Sequence, residues 1–549
     1  MEVRVDGMTL GSVLRFAARE RGDACFLAWE AETFTYGEFL ERVDAIAKGL
    51  LAIGVKRGDH VALWAGNRPE WLECYLAVVS VGAVLVTVNT RYHADELRYE
   101  LSQSEARFVI MEERFLKEGL LDRMVEVAPE LGKQRFGDVH CPDLPCLEGV
   151  VLLDSCDLRG ACGLDELIER GKTVDPELFR SALDAVRPED VALIIYTSGT
   201  TGSPKGVEQQ HFALLNRMSR FAAWNEMGEG DVTFFALPLF HSFGAVVAVV
   251  GTLVTGSQLC LATKFEARTA LETIERERCS VVHGVPSSFF MMLRDERFKD
   301  FDVSSCRTGV LGGAPCPASL ADEIVRRIAP RISSAWGLTE TCGMVTASRP
   351  GDTVEQITRT VGRTIPGSDV VVVDLASGEE LGAGVCGEVL VDSPYNMKGY
   401  YRMERETREA FDARGRLRTG DVGYIDNDGC LRISGRLKDM FIVGGVNAYP
   451  AEIEECIRGL AGVRDVQVVG VPDERLGEVA CAFVVREPGS ALTEGDVVDR
   501  CRRLANYKVP RYVRFVDGFP MTANGKVKKY VLRCAFSEDA ARDEVSQAS

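Results

Sequence analysis

From Thr35 onward the apolar positions first fall at helical spacing and then gather into short runs. Thr35 and Glu38 form a capping-box pair, and Phe39, Val43, Ile46, Leu50 and Leu51 recur on one helical face until Gly54. The apolar run at 61–64 predicts a strand, followed by a helix at 69–80, a strand at 83–88, a helix at 96–102 and a strand at 107–111. Strands that are apolar throughout and alternate with helices predict a mostly parallel sheet covered on both faces. The rhythm resumes after Asp190, with strands expected near 191–196, 234–237, 258–262, 281–284, 308–311 and 332–335, each leading through a loop into a helix. The fold class is therefore α/β, with a large doubly wound body.

Past Thr346 the pattern changes. Short β runs at 370–374, 388–391 and 431–434 alternate with Gly- and Asp-rich turns and no long helices, which predicts a β-rich subdomain. Residues 435–439 read as a polar connector. A compact α+β unit follows, with a helix opened by Pro450 and carrying Glu452 and Glu454, strands at 466–471 and 480–485, and a helix capped by Thr493 and Asp496. The expected domains are 1–437 and a small, mobile 438–549, with 538–549 as a frayed tail.

Composition narrows the function. The 549 residues are 46% hydrophobic and 27% charged, an ordinary globular mixture. Lys and Arg number 64 against 82 Asp and Glu, a net charge of −18 that repels nucleic acid and anionic membrane surfaces. The first ten residues lack an apolar leader, and the apolar stretches at 75–88 and 245–254 are too short to span a bilayer, so a cytoplasmic protein without an integral membrane segment is expected. Seventeen cysteines, an odd number, fit reduced thiols better than a disulfide framework. The gaps between Cys141, Cys146, Cys156 and Cys162 are too wide and irregular for a zinc site, and no HExxH is present. With this charge, an anionic ligand must be held by local devices: backbone N–H groups, single cations, a metal ion.

One segment supplies such devices. The strand ending at Tyr196 runs into Thr197-Ser198-Gly199-Thr200-Thr201-Gly202-Ser203-Pro204-Lys205-Gly206, whose N–H and O–H donors suit a polyphosphate. Glycine, serine and threonine are also ordinary turn residues, so composition alone leaves a plain loop open. It is not a Walker loop: the GxxxxGK[ST] spacing fails, and Pro204 interrupts any continuous helix, which argues against a P-loop kinase.

The order of residues in this loop resembles the signature of the adenylate-forming superfamily of acyl-CoA synthetases, luciferases and nonribosomal-peptide adenylation domains. Six further blocks follow in that family's order: Leu237-Pro238-Leu239-Phe240-His241, Gly312-Gly313-Ala314-Pro315, Trp336-Gly337-Leu338-Thr339-Glu340, Arg418-Thr419-Gly420-Asp421, Gly435-Arg436-Leu437-Lys438-Asp439 and Asn524-Gly525-Lys526. The resemblance implies that a carboxylate attacks the α-phosphate of ATP to give acyl-AMP and pyrophosphate, and that coenzyme A then displaces AMP.

It also implies roles. The loop Thr197, Ser198, Gly199, Thr200, Thr201, Gly202 and Lys205 would hold phosphates, with Thr200 and Glu340 on Mg²⁺. Gly313, Ala314, Pro315, Ser334, Ala335, Trp336, Gly337 and Thr339 would line the adenylate, Trp336 stacking on adenine where the family usually has Tyr. Asp421 and Arg436 would take the ribose hydroxyls. Lys526 would be the main catalytic residue, joined in the catalytic set by Glu340, Lys205 and His241. Lys438 would be the hinge, and Gly445 would leave room for pantetheine beside Gly444, Val446 and Asn447. Tyr507, Lys508 and Arg511 are expected near the CoA nucleotide.

His241 would also border the acyl tunnel, with Ser242, Phe243, Leu311, Gly312, Met344 and Val345 as neighbours. Amino-acid-activating relatives place an Asp near this block, and here it reads Phe240-His241-Ser242-Phe243, so a fatty, alicyclic or aryl acid is expected. Partners are thus a small carboxylic acid, ATP and CoA, with no nucleic acid and with room for a homodimer. The alternatives are transfer of the acyl group to a carrier protein, or a non-catalytic nucleotide-binding protein. The block from Gly444 to Pro450 looks like CoA ligases, and Lys526 and Glu340 are both present.

Overall fold

The structure, a computed structural model, describes residues 5–154, 158–197, 204–314, 316–444, 446–473, 475–521, 527–533 and 535–536, with only the backbone of Asn447. Contacts divide the chain into two compact units, Met1–Val370 with Val391–Leu417, and Val371–Leu390 with Arg418–Ser549.

Two large sheets organise the first unit. Among the described residues one has eight strands, in the order Gly399–Tyr400, Lys205–Gln210, Val191–Thr197, Val84–Thr87, His60–Trp64, Phe108–Met111, Gly149–Leu152 and Ala161–Gly163. All its neighbours from Val191–Thr197 to Ala161–Gly163 pair in parallel. The other has nine, and its centre, through Arg331–Leu338, Thr308–Leu311, Val281–Val282, Val232–Phe235 and Gln258–Leu261, is also parallel.

The helix Tyr36–Ala52 starts where its cap requires. The Thr35 hydroxyl accepts the Glu38 N–H at 3.2 Å, and the Glu38 carboxylate accepts the Thr35 N–H at 2.9 Å. Phe39, Val43, Ile46 and Leu50 on its apolar face are buried, and each such side chain contributes about 1.5–3 kcal/mol. One apolar cluster takes Leu85, Phe108 and Leu193 from the first sheet, Leu259, Phe235 and Val310 from the second, and helical residues such as Leu14, Trp71 and Leu214. Both sheets thus share a core through helices packed on them.

Two strand-to-helix expectations fail for physical reasons. Val191–Thr197 is followed not by a helix but by the antiparallel strand Lys205–Gln210: Pro204 has no N–H to offer a helix, and residues 207–210 alternate in burial. The strand expected at 332–335 extends over Arg331–Leu338 and returns as antiparallel Gly343–Ala347 after one 3₁₀ turn.

The second unit holds a four-stranded sheet in the order Asp369–Val373, Gly387–Asp392, Leu417–Ile425 and Leu431–Arg436. It also holds a five-stranded sheet around the long hairpin Val463–Asp473 and Gly477–Arg486, with helices Pro450–Arg458 and Glu494–Cys501. The nine-residue strand Leu417–Ile425 is not visible in the apolar pattern, because Gly420 and Gly423 break its alternation.

Among the described residues no helix is long and apolar enough to cross a membrane. Cys141 and Cys162 are buried in two different apolar clusters, and Cys156 lies outside the described residues.

Candidate active site

The strands on either side of the expected phosphate loop pair as a β-hairpin. Thr197 pairs with Lys205 and Tyr196 with Gly206, so the two strands deliver both ends of the loop to one point of the eight-stranded sheet. Gly206 is required there: a Cβ would stand 2.9 Å from Ile194 Cγ2 and 3.0 Å from Tyr196 Cζ. The carbonyl of Pro204 accepts the Tyr99 hydroxyl at 2.8 Å. Ser198, Gly199, Thr200, Thr201 and Gly202 lie outside the described residues.

Glu340 stands on the single 3₁₀ turn Thr339–Thr341 that ends Arg331–Leu338. The turn is closed locally by the Leu338 N–H donating to the Thr341 hydroxyl at 2.8 Å. Three other segments pin it: Gln209 Nε2 donates to the Thr339 carbonyl at 2.7 Å, the Met397 N–H to the Glu340 carbonyl at 2.8 Å, and Arg217 Nε to the Thr341 carbonyl at 3.0 Å. Arg217 is buried and burial lowers its pKa to about 10; its guanidinium is further held by the hydroxyls of Ser368 and Ser393. Such a turn fixes the half-buried Glu340 carboxylate in space before any ligand arrives.

The strand Lys205–Gln210 also pairs with Gly399–Tyr400, placing Tyr400 opposite Val207. From there the Tyr400 hydroxyl donates to Glu340 Oε1 at 3.0 Å, and the Lys205 ammonium lies 4.7 Å from the centre of the Tyr400 ring. Two of the four expected catalytic residues, Lys205 and Glu340, are therefore brought to one tyrosine, the first over its ring and the second at its hydroxyl.

The segment expected to line the adenylate follows from strand geometry. A bulge between Trp336 and Gly337 shifts the register against Gly343–Ala347, a device that re-aims side chains near active sites. Gly337 has no alternative here, since a Cβ would lie 2.1 Å from the Gly343 carbonyl oxygen. Trp336 is half-buried, and the Ser334 N–H donates to the Ser348 hydroxyl at 2.9 Å. Gly313, with a left-handed φ of 80°, and Ala314 form an exposed, small-residue edge; Pro315 lies outside the described residues.

The other wall is apolar. Asn67 clamps the block that precedes it: Asn67 Nδ2 donates to the carbonyls of Leu237 and Ala262 at 2.9 and 3.0 Å, while its Oδ1 accepts the Leu239 N–H at 2.9 Å. Gly244 lets the chain fold back, because a Cβ would meet the Pro238 carbonyl oxygen at 2.5 Å. A π-helix, Phe243–Val250, then begins, a geometry that is rare and concentrated at functional sites. His241, half-buried, accepts the Phe243 N–H on Nδ1 at 3.2 Å. Phe243 packs edge-on to Phe235 at 5.9 Å.

In the second unit Asp421 and Arg436 face each other across Leu417–Ile425 and Leu431–Arg436, with Arg436 Nε 2.5 Å from Asp421 Oδ1. Asp421 is buried, so its charge is held by this partner and its backbone N–H by the Thr419 hydroxyl at 3.0 Å. Lys438 is exposed on the 3₁₀ turn Leu437–Asp439. Lys508 and Arg511 already hold carboxylates: Lys508 pairs with Glu452 at 2.6 Å and Arg511 with Asp473 at 3.3 Å. Lys529 pairs with the buried Glu454 at 2.6 Å and donates to the Val468 carbonyl, a structural lysine. Lys526 and Gly445 lie outside the described residues; Met521 and Val527 form a β-bridge.

The AMP-binding enzyme family model matches residues 14–401, and the AMP-binding enzyme C-terminal domain model matches residues 452–526. The chain belongs to the AMP-binding enzyme family. It is 37% identical to a Mycobacterium tuberculosis ligase named for 3-[(3aS,4S,7aS)-7a-methyl-1,5-dioxo-octahydro-1H-inden-4-yl]propanoyl:CoA, over 96% of this chain and 99% of that protein. It is 32% identical to the human mitochondrial medium-chain acyl-CoA ligase ACSF2, over 96% of this chain and 88% of the relative. Among solved structures, the anthranilate CoA ligase AuaEII in complex with anthranoyl-AMP superposes with a TM-score of 0.83 at 25% identity, covering 97% of this chain and 98% of the other. This AMP-binding enzyme is an ATP-dependent acyl-CoA synthetase that works through an acyl-adenylate.

Three residues of the enzyme's site were not anticipated from its sequence. Tyr400 enters through a two-residue strand, and a pairing that short leaves no periodic signal. Arg217 and Asn67 act through backbone carbonyls 124 and 170 or more positions away, contacts that no local pattern encodes.

Proposed function

We propose that this enzyme joins an apolar fatty, alicyclic or aryl acid to CoA, with the adenylation chemistry divided among a few fixed groups and one delivered lysine. An aliphatic carboxyl has a pKa of about 4.3 and is already ionised at neutral pH, so the first step needs no general base. It needs alignment of the carboxylate with the α-phosphate and neutralisation of the charge that builds on phosphate oxygens.

Lys205, with the loop Thr197–Lys205, orients the β- and γ-phosphates. Trp336 stacks on adenine against Gly313, Ala314 and Pro315, with Ser334, Ala335, Gly337 and Thr339 along the same strand. Asp421 accepts the ribose hydroxyls, its carboxylate held ready by Arg436. Lys526 bridges the attacking carboxylate and the α-phosphate, worth several kcal/mol in a partly dehydrated site. Lys438 is the hinge of a small domain, 438–549, whose reorientation brings Gly445 to the site for thioester formation. His241 closes the acyl end nearest the reacting carboxyl.

Glu340 suits Mg²⁺: it is a hard oxygen donor, half-exposed and pinned, and among the described residues Tyr400 engages one of its two oxygens. Together with Thr200 it would hold the ion, which neutralises phosphate charge when bound.

The arrangement of Lys205 and Glu340 about the Tyr400 ring, at the base of the phosphate hairpin, supports this reading most directly. The apolar wall of Phe235, Phe243 and the π-helix supports an uncharged acyl group. The Mycobacterium tuberculosis relative, named for a bicyclic acid, and ACSF2, named for medium-chain acids, frame the expected range of sizes. Assaying octanoate, benzoate and cyclohexanecarboxylate with ATP and CoA tests it: at least one should give an acyl-CoA thioester and AMP, and turnover of none would sink the proposal.

A further inference from the structure

His283 is buried, 3% exposed, just past the short strand Val281–Val282 in the centre of the nine-stranded sheet. The sheet's two faces feed different cores: Val282, Phe234 and Leu311 belong to one, and Phe235, Val310 and Phe243 to the other. Alternation from Val282 puts His283 on the second face, and its ring centre lies 6.2 Å from that of Phe243. A Cβ on Gly312 would meet the same Phe243 ring at 3.8 Å. His283 thus stands beside Phe243, Val310 and Gly312, on the wall assigned above to the acyl group.

Its two nitrogens differ. Nδ1 accepts the Val310 N–H at 3.1 Å, so its lone pair is in use and the proton of the neutral ring is on Nε2. Burial holds the ring neutral, with a pKa pushed down to about 4. The resulting Nε2–H donor is fully buried and has no acceptor among the described residues. Buried donors are nearly always satisfied, and this one stands beside the Phe243 ring without an acceptor among the described residues.

We infer that His283 Nε2–H donates a hydrogen bond to an oxygen carried on the acyl skeleton, so that the preferred acid is apolar but bears an oxo, ether or hydroxyl group away from its carboxylate. This rests on the reading of the Phe243 wall as the acyl site. It makes His283 a specificity residue: a site built to hydrogen-bond a substrate oxygen discriminates far more strongly against its absence than an apolar pocket discriminates over a methylene.

His211 provides an internal control. It is also buried, its Nδ1 accepts the Leu10 N–H at 3.1 Å, and its Nε2 lacks an acceptor among the described residues, but it begins the helix His211–Trp224 and carries no assigned role in the site.

The test compares matched acids in the full-length enzyme by initial rates of thioester formation: octanoate against 4-, 5-, 6- and 7-oxooctanoate, and cyclohexanecarboxylate against 4-oxocyclohexanecarboxylate. For at least one pair, kcat/KM should favour the oxygenated acid by roughly 10-fold or more. His283→Leu should bring that ratio to about one, whatever it does to the rate with the deoxy acid, His283→Gln should keep part of it, and His211→Leu should leave it intact. No preference in the wild type for any oxo acid, or a preference that survives His283→Leu, would overturn the inference. Should His283→Leu fail to fold by circular dichroism, the wild-type ratios and His283→Gln decide. If no acid of either kind yields thioester, the ligase reading itself fails; if the deoxy acids turn over and oxygen adds nothing, only the role of His283 falls.

Discussion

The proposed phosphate end and the proposed acyl end of this site are built on opposite plans. At the phosphate end a few polar groups are held by many: the Glu340 turn is pinned by Gln209, Met397 and Arg217, and its carboxylate is tied through Tyr400 to the neighbourhood of Lys205. At the proposed acyl end His283 stands beside the Phe243 ring of an apolar wall, and Asn67 fixes the Leu237–Leu239 backbone that leads into it. The difference follows from what each end recognises. Charge developing on phosphate oxygens is stabilised only by donors already in place, whereas an apolar chain is bound by burial that depends on area and little on direction.

Four perturbations sharpen this contrast, the strongest first. Lys526→Ala should lower carboxylate-dependent ATP–pyrophosphate exchange by about 10²-fold or more, because it removes the cation proposed at the reacting phosphorus; unchanged exchange would remove Lys526 from the chemistry. Glu340→Ala should cost roughly 10- to 100-fold in the same assay and raise the magnesium concentration needed for half-maximal rate, and a normal magnesium titration would argue that the ion is held elsewhere.

Tyr400→Phe keeps the ring under Lys205 and deletes only the hydroxyl on Glu340. A loss of roughly 3- to 10-fold is expected, seen in kcat more than in the KM for the acid, since a hydrogen bond to a charged group contributes about 1.5–3 kcal/mol at most and Glu340 stays pinned by its backbone. A change confined to the acid's KM would place Tyr400 at the wrong end of the site.

The smallest effect concerns pH and stability. Burial depresses the folded-state pKa of both His283 and His211 to about 4, against an ordinary value of 6.5. Below pH 6.5 the unfolded chain takes up protons that the folded chain refuses, so stability is full above that pH and is lost as pH falls toward 4. Each histidine should cost about 1 kcal/mol between pH 8 and 5.5, measured by urea unfolding. His211→Gln should reduce that loss; a loss left unchanged by the substitution would contradict the assignment.

What the sequence disclosed follows the same division. The helix Tyr36–Ala52 was legible from Thr35, Glu38 and a 3.6-residue apolar period, because cap and face are both local. The AMP-binding family was legible in the polar motif at 197–206 because its chemistry needs particular residue types in order. The strand Lys205–Gln210 was not, since the Gly-, Ser- and Thr-rich segment before it carries no two-residue hairpin signal. Tyr400 reaches Glu340 across 60 positions through a two-residue strand, and His283 becomes distinctive only when Val310 and Phe243 converge on it from other elements. Such long-range convergence is written in topology, which the hydrophobic pattern outlines without specifying its contacts.

The most direct test of the whole account is the exchange of labelled pyrophosphate into ATP by the wild-type enzyme with CoA omitted. Exchange should require magnesium and one of octanoate, benzoate or cyclohexanecarboxylate, and addition of CoA should then release AMP and an acyl-CoA thioester. Exchange that proceeds without any acid, or ATP cleaved to ADP and phosphate, would contradict formation of an acyl-adenylate at this site.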